Sequence, residues 1–153
     1  MNCCVKTLGL LLLIAFALTV IQAQENEKRI SRKRPPAVEN TVARESQGAT
    51  IRELSTETDH GQKVYELSLE ANGHTKDILI DKEGNILEIE EQVSMDSLPS
   101  AVQEAIKKVA GTGTIGVIES VTRNGTLEAY EAHVKRGRKR SEIKVSPSGE
   151  VIK

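Results

Sequence analysis

Apolar and polar residues alternate along most of this chain beyond residue 35, and twice the alternation gives way to a helical period. Val102, Ala105, Ile106 and Val109 recur at i, i+3, i+4 and i+7, one face of a short helix. Ser97 or Asp96 can cap it, Pro99 suits its first turn and Gly111 marks its end. An earlier stretch has the same register as Val38, Thr41, Val42 and Glu45, a weaker stripe that ends on a charge. After each helix the period falls to two. Tyr65, Leu67 and Leu69 alternate with polar neighbours, as do Ile78 and Ile80, which predicts strands with one buried face. The pattern predicts strands over Thr50–Thr58, Lys63–Ala71, His74–Asp81 and Asn85–Gln92, and a matching set in the second half that ends at Glu150–Lys153.

The punctuation between these stretches has defined turn chemistry. Asn72-Gly73 and Asn124-Gly125 are strong hairpin signals, because a two-residue type I′ turn needs positive φ at both central positions. Gly84 closes the turn after Asp81-Lys82-Glu83, and Arg136-Gly137 and Ser146-Pro147-Ser148-Gly149 mark the later ones.

Shifted by about 64 residues, the chain matches itself. Pro35-Pro36-Ala37-Val38 lies over Pro99-Ser100-Ala101-Val102, Thr58 over Thr122 and Gly61 over Gly125. After one inserted residue, Tyr65-Glu66 lies over Tyr130-Glu131, and the match continues from Ile78 on Ile143 to Gly84 on Gly149. The reading is an α+β fold built as a tandem repeat of α-β-β-β-β units, over 35–92 and 96–153. An apolar sheet face needs a cover and the helices are the available one, so both are expected on one face of an antiparallel sheet. The other face is left open for recognition. Each unit is near the lower size limit for independent folding, so the halves should share a core or a sheet.

Composition adds a destination. Lys6 followed by a mostly apolar run from Leu8 to Val20 resembles a signal peptide over 1–23, with cleavage after Ala23 or retention as an anchor. Cys3 and Cys4 precede that run, where a lipoprotein cysteine would follow it, and the chain beyond it has no cysteine. The expected product is exported, periplasmic or extracellular, and stabilised without disulfides. Residues 24–34 read as a basic linker, with Arg32-Lys33-Arg34 also open to a role as a processing site or surface tether.

Leu98-Pro99-Ser100-Ala101-Val102 with Ala105-Ile106, Tyr130-Glu131 and the terminal Ser148-Gly149-Glu150-Val151 resemble the PepSY-like family. That family is related to PepSY domains and to the beta-lactamase-inhibitory-protein fold. The first copy departs from the pattern, with Arg34 where Leu98 stands in the second. The resemblance implies small exported bacterial proteins. PepSY domains occur in propeptides of thermolysin-type peptidases, with a proposed role in inhibiting or regulating peptidases. It brings no catalytic residues and no cofactor.

The residues themselves offer little catalytic chemistry. His60, His74 and His133 lack the spacing of a zinc site, and no serine lies in a G-x-S-x-G elbow. Asp81-Lys82-Glu83-Gly84-Asn85 lacks the pattern of a calcium loop, and Gly111-Thr112-Gly113 lacks the context of a nucleotide loop. Glu88, Glu90 and Glu91 read as ordinary acidic residues of an exposed strand. Tyr65 and Tyr130 are the only aromatic residues beyond the leader, which disfavours single-stranded nucleic acid as a partner.

The remaining candidate is a basic hairpin: Lys135, Arg136, Arg138, Lys139 and Arg140 surround Gly137. Five like charges at one tip repel one another, so the cluster either serves a binding role or protects a strand edge. The expectation is a non-enzymatic exported binding module, a regulator or inhibitor of a peptidase or other envelope enzyme, steered by these five residues. The alternative is recognition of an acidic polymer or lipid surface through the same hairpin.

Overall fold

The computed structural model describes residues 34–59 and 61–152. The expected leader, most of the basic linker, and His60 lie outside the described residues. Helix α1 (Pro36–Glu45) is followed by β1 (Thr50–Asp59), β2 (Gln62–Ala71), β3 (His74–Ile80) and β4 (Ile86–Gln92). A 3₁₀ turn (Met95–Ser97) leads into α2 (Ser100–Ala110), then β5 (Thr114–Arg123), β6 (Thr126–Arg136), β7 (Lys139–Val145) and β8 (Val151–Ile152). The strands form one antiparallel sheet in the order in which they occur, β1 to β8, with no crossover. The fold is α+β, with an open eight-stranded antiparallel sheet and two helices.

Turn chemistry sets the register. Asn72 and Gly73 have φ of 54° and 80°, and Asn124 and Gly125 have 48° and 77°, the left-handed pair that two-residue hairpins require. Gly84 has a second constraint. Its φ is 85°, and a Cβ there would lie 2.7 Å from the Ala37 carbonyl oxygen, so α1 can sit on the β3–β4 turn only if residue 84 has no side chain.

Both helices cover the same side of the sheet. Val38 and Val42 of α1 pack with Tyr65, Leu67, Leu69, Ile78 and Ile80. Val102, Ile106 and Ala110 of α2, with Leu98, pack with Ile118, Ala132, Val134, Ile143 and Val145. Parity carries that face across the middle of the sheet: Ile89, packed on the first cluster, pairs with Thr122, and Ser120 pairs with Tyr130, packed on the second. The halves therefore share a sheet while each helix gathers its own apolar cluster. Each fully buried Ile or Val contributes ~1.5–3 kcal/mol relative to exposure.

Several local expectations change. The first helix is fully formed despite its weak stripe, because Thr41 is buried and its hydroxyl donates to the Gly84 carbonyl at 2.7 Å. Arg34, in place of a core leucine, bonds Glu39 at 2.7 Å, whereas Leu98 is buried in the second cluster. Asp96 and Ser97 do not cap α2: they belong to the 3₁₀ turn, and Pro99 occupies the cap position with no side-chain bond. Val109 is 40% exposed, and Ala110 takes the buried place expected for it.

Candidate functional site

The face opposite the helices has no covering layer among the described residues. It carries Glu57 on β1, Val64, Glu66 and Ser68 on β2, Asp77 and Leu79 on β3, and Glu88 and Glu90 on β4. Across β4–β5 it continues through Glu119, Val121 and Arg123, then Ala129, Glu131 and His133 on β6, and Glu142 and Lys144 on β7. Val64, Val121 and Ala129 are buried on this uncovered side, so the longer polar side chains around them keep water off the pleat. This modifies the expectation of a simply solvent-exposed face.

The two halves of the face differ electrostatically. In the second half, acids have basic side chains beside them: Lys144 pairs with Glu131, and the His133 imidazole lies 3.1 Å from Glu119 and 3.6 Å from Glu142. In the first half the corresponding positions, 65 residues earlier, hold Leu79 where Lys144 stands and Ser68 where His133 stands. Glu66, Asp77 and Glu90 consequently make no ion pair with a cation among the described residues. They surround a depression of about 390 Å³ together with Glu57, Glu88 and Arg123. Arg123 is committed to Glu88, with Glu128 3.7 Å away.

Crowding raises proton affinity here. A hydrogen bond shared with Glu57, then burial, then the charges of Glu57 and Asp77 push the Glu66 carboxyl up to about 7, against the Ser55 hydroxyl, which favours the ionised form. Burial, then the charges of Glu88, Glu131, Glu119 and Asp77, push Glu90 up to about 7 as well. Sequence reasoning treated Glu88, Glu90 and Glu91 alike and missed this. The available signal was the loss of Lys144 and His133 counterparts in the first half, visible once the two registers are aligned.

The basic hairpin does not act as one cluster. Lys135 and Arg140 oppose each other on the open face, beside a second depression of about 880 Å³ that also includes Thr114, Val117, His133 and Glu142. Arg136 points to the helix side. Its guanidinium donates to the Val109 carbonyl at 2.5 Å and the Ala110 carbonyl at 3.3 Å, closing the C-terminus of α2. Lys139 pairs with Arg136 in the ladder and shares its face, and Arg138 stands at the tip. Lys135, Arg138, Lys139 and Arg140 have no ion-pair partner among the described residues. Arg136 thus has a structural task that the sequence did not reveal.

The other candidate motifs are turns. Asn85 donates to both Asp81 carboxylate oxygens at 2.8 Å; although burial opposes it, these bonds and backbone N–H donors hold Asp81 below the usual carboxylate range. Ser146 and Ser148 bond each other at 2.8 Å within the last turn. His74 is exposed at the start of β3. Among the described residues no helix is long and apolar enough to cross a membrane.

No protein-family model and no curated protein matches the chain in sequence. Solved structures share its fold. A protein from Bacteroides eggerthii superposes with a TM-score of 0.64 at 16% identity, over 78% of this chain and 86% of its own. A DUF2874 family protein from Bacteroides uniformis gives 0.62 at 18% identity, over 78% and 86%. A BLIP-like protein from Bacteroides fragilis gives 0.57 at 20% identity, over 78% and 84%. At these identities the shared property is the fold, an α+β architecture of the kind seen in BLIP-like proteins.

Proposed function

We propose that this chain is a non-enzymatic exported binding protein, two copies of one helix-plus-four-strand unit, that holds a protein partner on the open face of its sheet. The observation that carries this reading is the uncovered first half of that face. There the fold keeps carboxylates crowded and short of cations, at a cost to its own stability, which a surface without a ligand does not require. Several supports accompany it: the leader-like N-terminus, the provisional description of the Bacteroides eggerthii protein as periplasmic, and the BLIP-like fold of another neighbour. A peptidase or other envelope enzyme is the partner class, taken from the PepSY-like resemblance.

The alternative, recognition of an acidic polymer or lipid surface, draws on one observation: Lys135, Arg138, Lys139 and Arg140 have no acidic partner among the described residues. One experiment separates the readings. The tagged chain from Gln24 onward, and a variant with Glu57, Glu66, Asp77 and Glu90 all changed to Gln, are used to capture ligands from the native envelope fraction. A single protein kept through high salt by the unaltered chain and lost by the variant supports the proposal and supplies the target for an inhibition assay. Retention of polymer or lipid alone by both, released by salt, favours the basic hairpin instead.

A further inference from the structure

We infer that the chain's own basic segment, Lys28-Arg29-Ile30-Ser31-Arg32-Lys33, docks in cis on the first half of the open face, where it neutralises Glu66, Asp77 and Glu90. The inference deepens the proposed function, because it makes the partner's surface one that is occupied before the partner arrives.

Three observations converge on it. The first is where the described chain starts. Arg34 is held against Glu39 at the beginning of α1, and the first turn of that helix rests on Gly84, in the turn between β3 and β4. These two strands carry Asp77, Leu79, Glu88 and Glu90 on the open face. The segment therefore joins the body at the rim of the strands that hold the crowded acids.

The second is reach. Six extended residues span about 20 Å. A helix layer stands about 10 Å from its sheet, and Glu88 and Glu90 lie two and four residues beyond the start of β4 at Ile86, roughly 7 and 14 Å along it. Rounding the turn and running to Glu88 takes about 17 Å, within that length. Glu90 and its ladder partner Asp77, at about 24 Å, are reached by the extended side chains of Lys28 and Arg29 at the far end of the segment. The second half offers no equivalent: residues 92–97, before α2, carry Asp96 and no basic residue, and that half's acids already have Lys144 and His133.

The third is complementarity. Lys28, Arg29, Arg32 and Lys33 bring four positive charges, and Ile30 brings an apolar side chain to a depression that contains Leu79. Attachment in cis gives a short tether an effective concentration of about millimolar, so weak individual ion pairs suffice. The basic hairpin of a second copy has the same sign of charge but no such advantage. Docking by the segment would favour the ionised forms of Glu66 and Glu90 and so oppose the crowding that raises them.

The test uses the isotope-labelled chain from Gln24 to Lys153, compared with a variant in which Lys28, Arg29, Arg32 and Lys33 are all changed to Glu. The substitutions lie outside the described fold, and circular dichroism verifies that both chains are folded. At low salt the two should differ in amide shifts at residues 77–79 and 88–90. The carboxyl titration midpoints of Glu66 and Glu90 should be higher in the variant, and the amide differences should collapse in about 0.5 M NaCl. A spin label on Ser31→Cys, in a chain with no other cysteine, should broaden the same resonances at every dilution. Shift differences confined to the substituted segment would overturn the inference. So would broadening that appears only between labelled and unlabelled copies, since that places a second molecule on the face. No partner is present in either measurement, so its outcome is independent of whether the chain captures an envelope protein.

Discussion

Leu79 lies directly opposite Glu66 across β2 and β3, while at the corresponding place on β6 and β7 a lysine, Lys144, pairs with Glu131. A methyl-tipped side chain cannot balance a carboxylate, and with Glu57 beside it, burial, and the charge of Asp77, the Glu66 carboxyl is pushed up to about 7. This difference, with Ser68 where His133 stands in the second half, separates the two halves of the face electrostatically.

Restoring the cation tests that relationship. Leu79→Lys should lower the Glu66 midpoint by about one unit or more, as an opposite charge a few ångströms away does. A carbon-13 titration of the side-chain carboxyls measures it. A midpoint that stays near 7 would show that burial, and not the missing cation, controls Glu66.

Stability should fall as pH rises through the range bounded by the two states of these acids. In the fold without the basic segment docked on them, Glu66 and Glu90 are pushed from 4.5 to about 7, so between those values the native protein holds more protons. Docking of the segment narrows that interval from above. Their contribution is fully present below about pH 4.5, is lost on passing through about pH 7, and is constant above. The thermal midpoint should be higher at pH 5 than at pH 8, and Glu66→Gln with Glu90→Gln should flatten the difference. A midpoint that climbs over that interval would contradict the assignment.

The two sides of the basic hairpin should respond differently to substitution. Arg136→Ala removes the donor from two carbonyls at the end of α2 and should cost ~1.5–3 kcal/mol in urea unfolding. Arg138→Ala and Lys139→Ala should stay within ~0.5 kcal/mol. A test of electrostatic steering therefore reverses Lys135, Arg138, Lys139 and Arg140 and leaves Arg136 in place. Equal losses at all these sites would refute the capping role.

Glycine substitutions should rank by crowding as well as by φ. Gly73→Ala and Gly84→Ala both force a side chain into left-handed backbone, at ~1–2 kcal/mol. Only at Gly84 would the new Cβ strike Ala37, so Gly84→Ala should be clearly the more destabilising of the two in urea titration.

Much of the architecture was legible in the chain because turns and period-two strands are local. Asn72-Gly73 and Asn124-Gly125 fixed their hairpins, and the strand limits fell within a residue or two of those observed. The errors came from tertiary contacts. Thr41 works in a buried stripe because Gly84 offers a carbonyl 43 residues away in the chain. Arg136 looked like one charge among five because nothing local says that α2 ends beside it. The acidic depression was hidden for the same reason. Glu66, Asp77 and Glu90 lie on three strands, and only the register places them together.

The strictly sequential strand order bears on how the chain reaches this state. Each strand pairs only with its neighbours in the chain, so most contacts close short loops, and folding should be quick for a sheet this wide. The pairing of β4 with β5 is the exception, since residues 93–113 with all of α2 intervene. Its loop-closure cost is the largest in the sheet, which makes this seam the last to zip. Destabilising substitutions there, such as Val121→Ala, should then speed unfolding and leave the folding rate nearly unchanged.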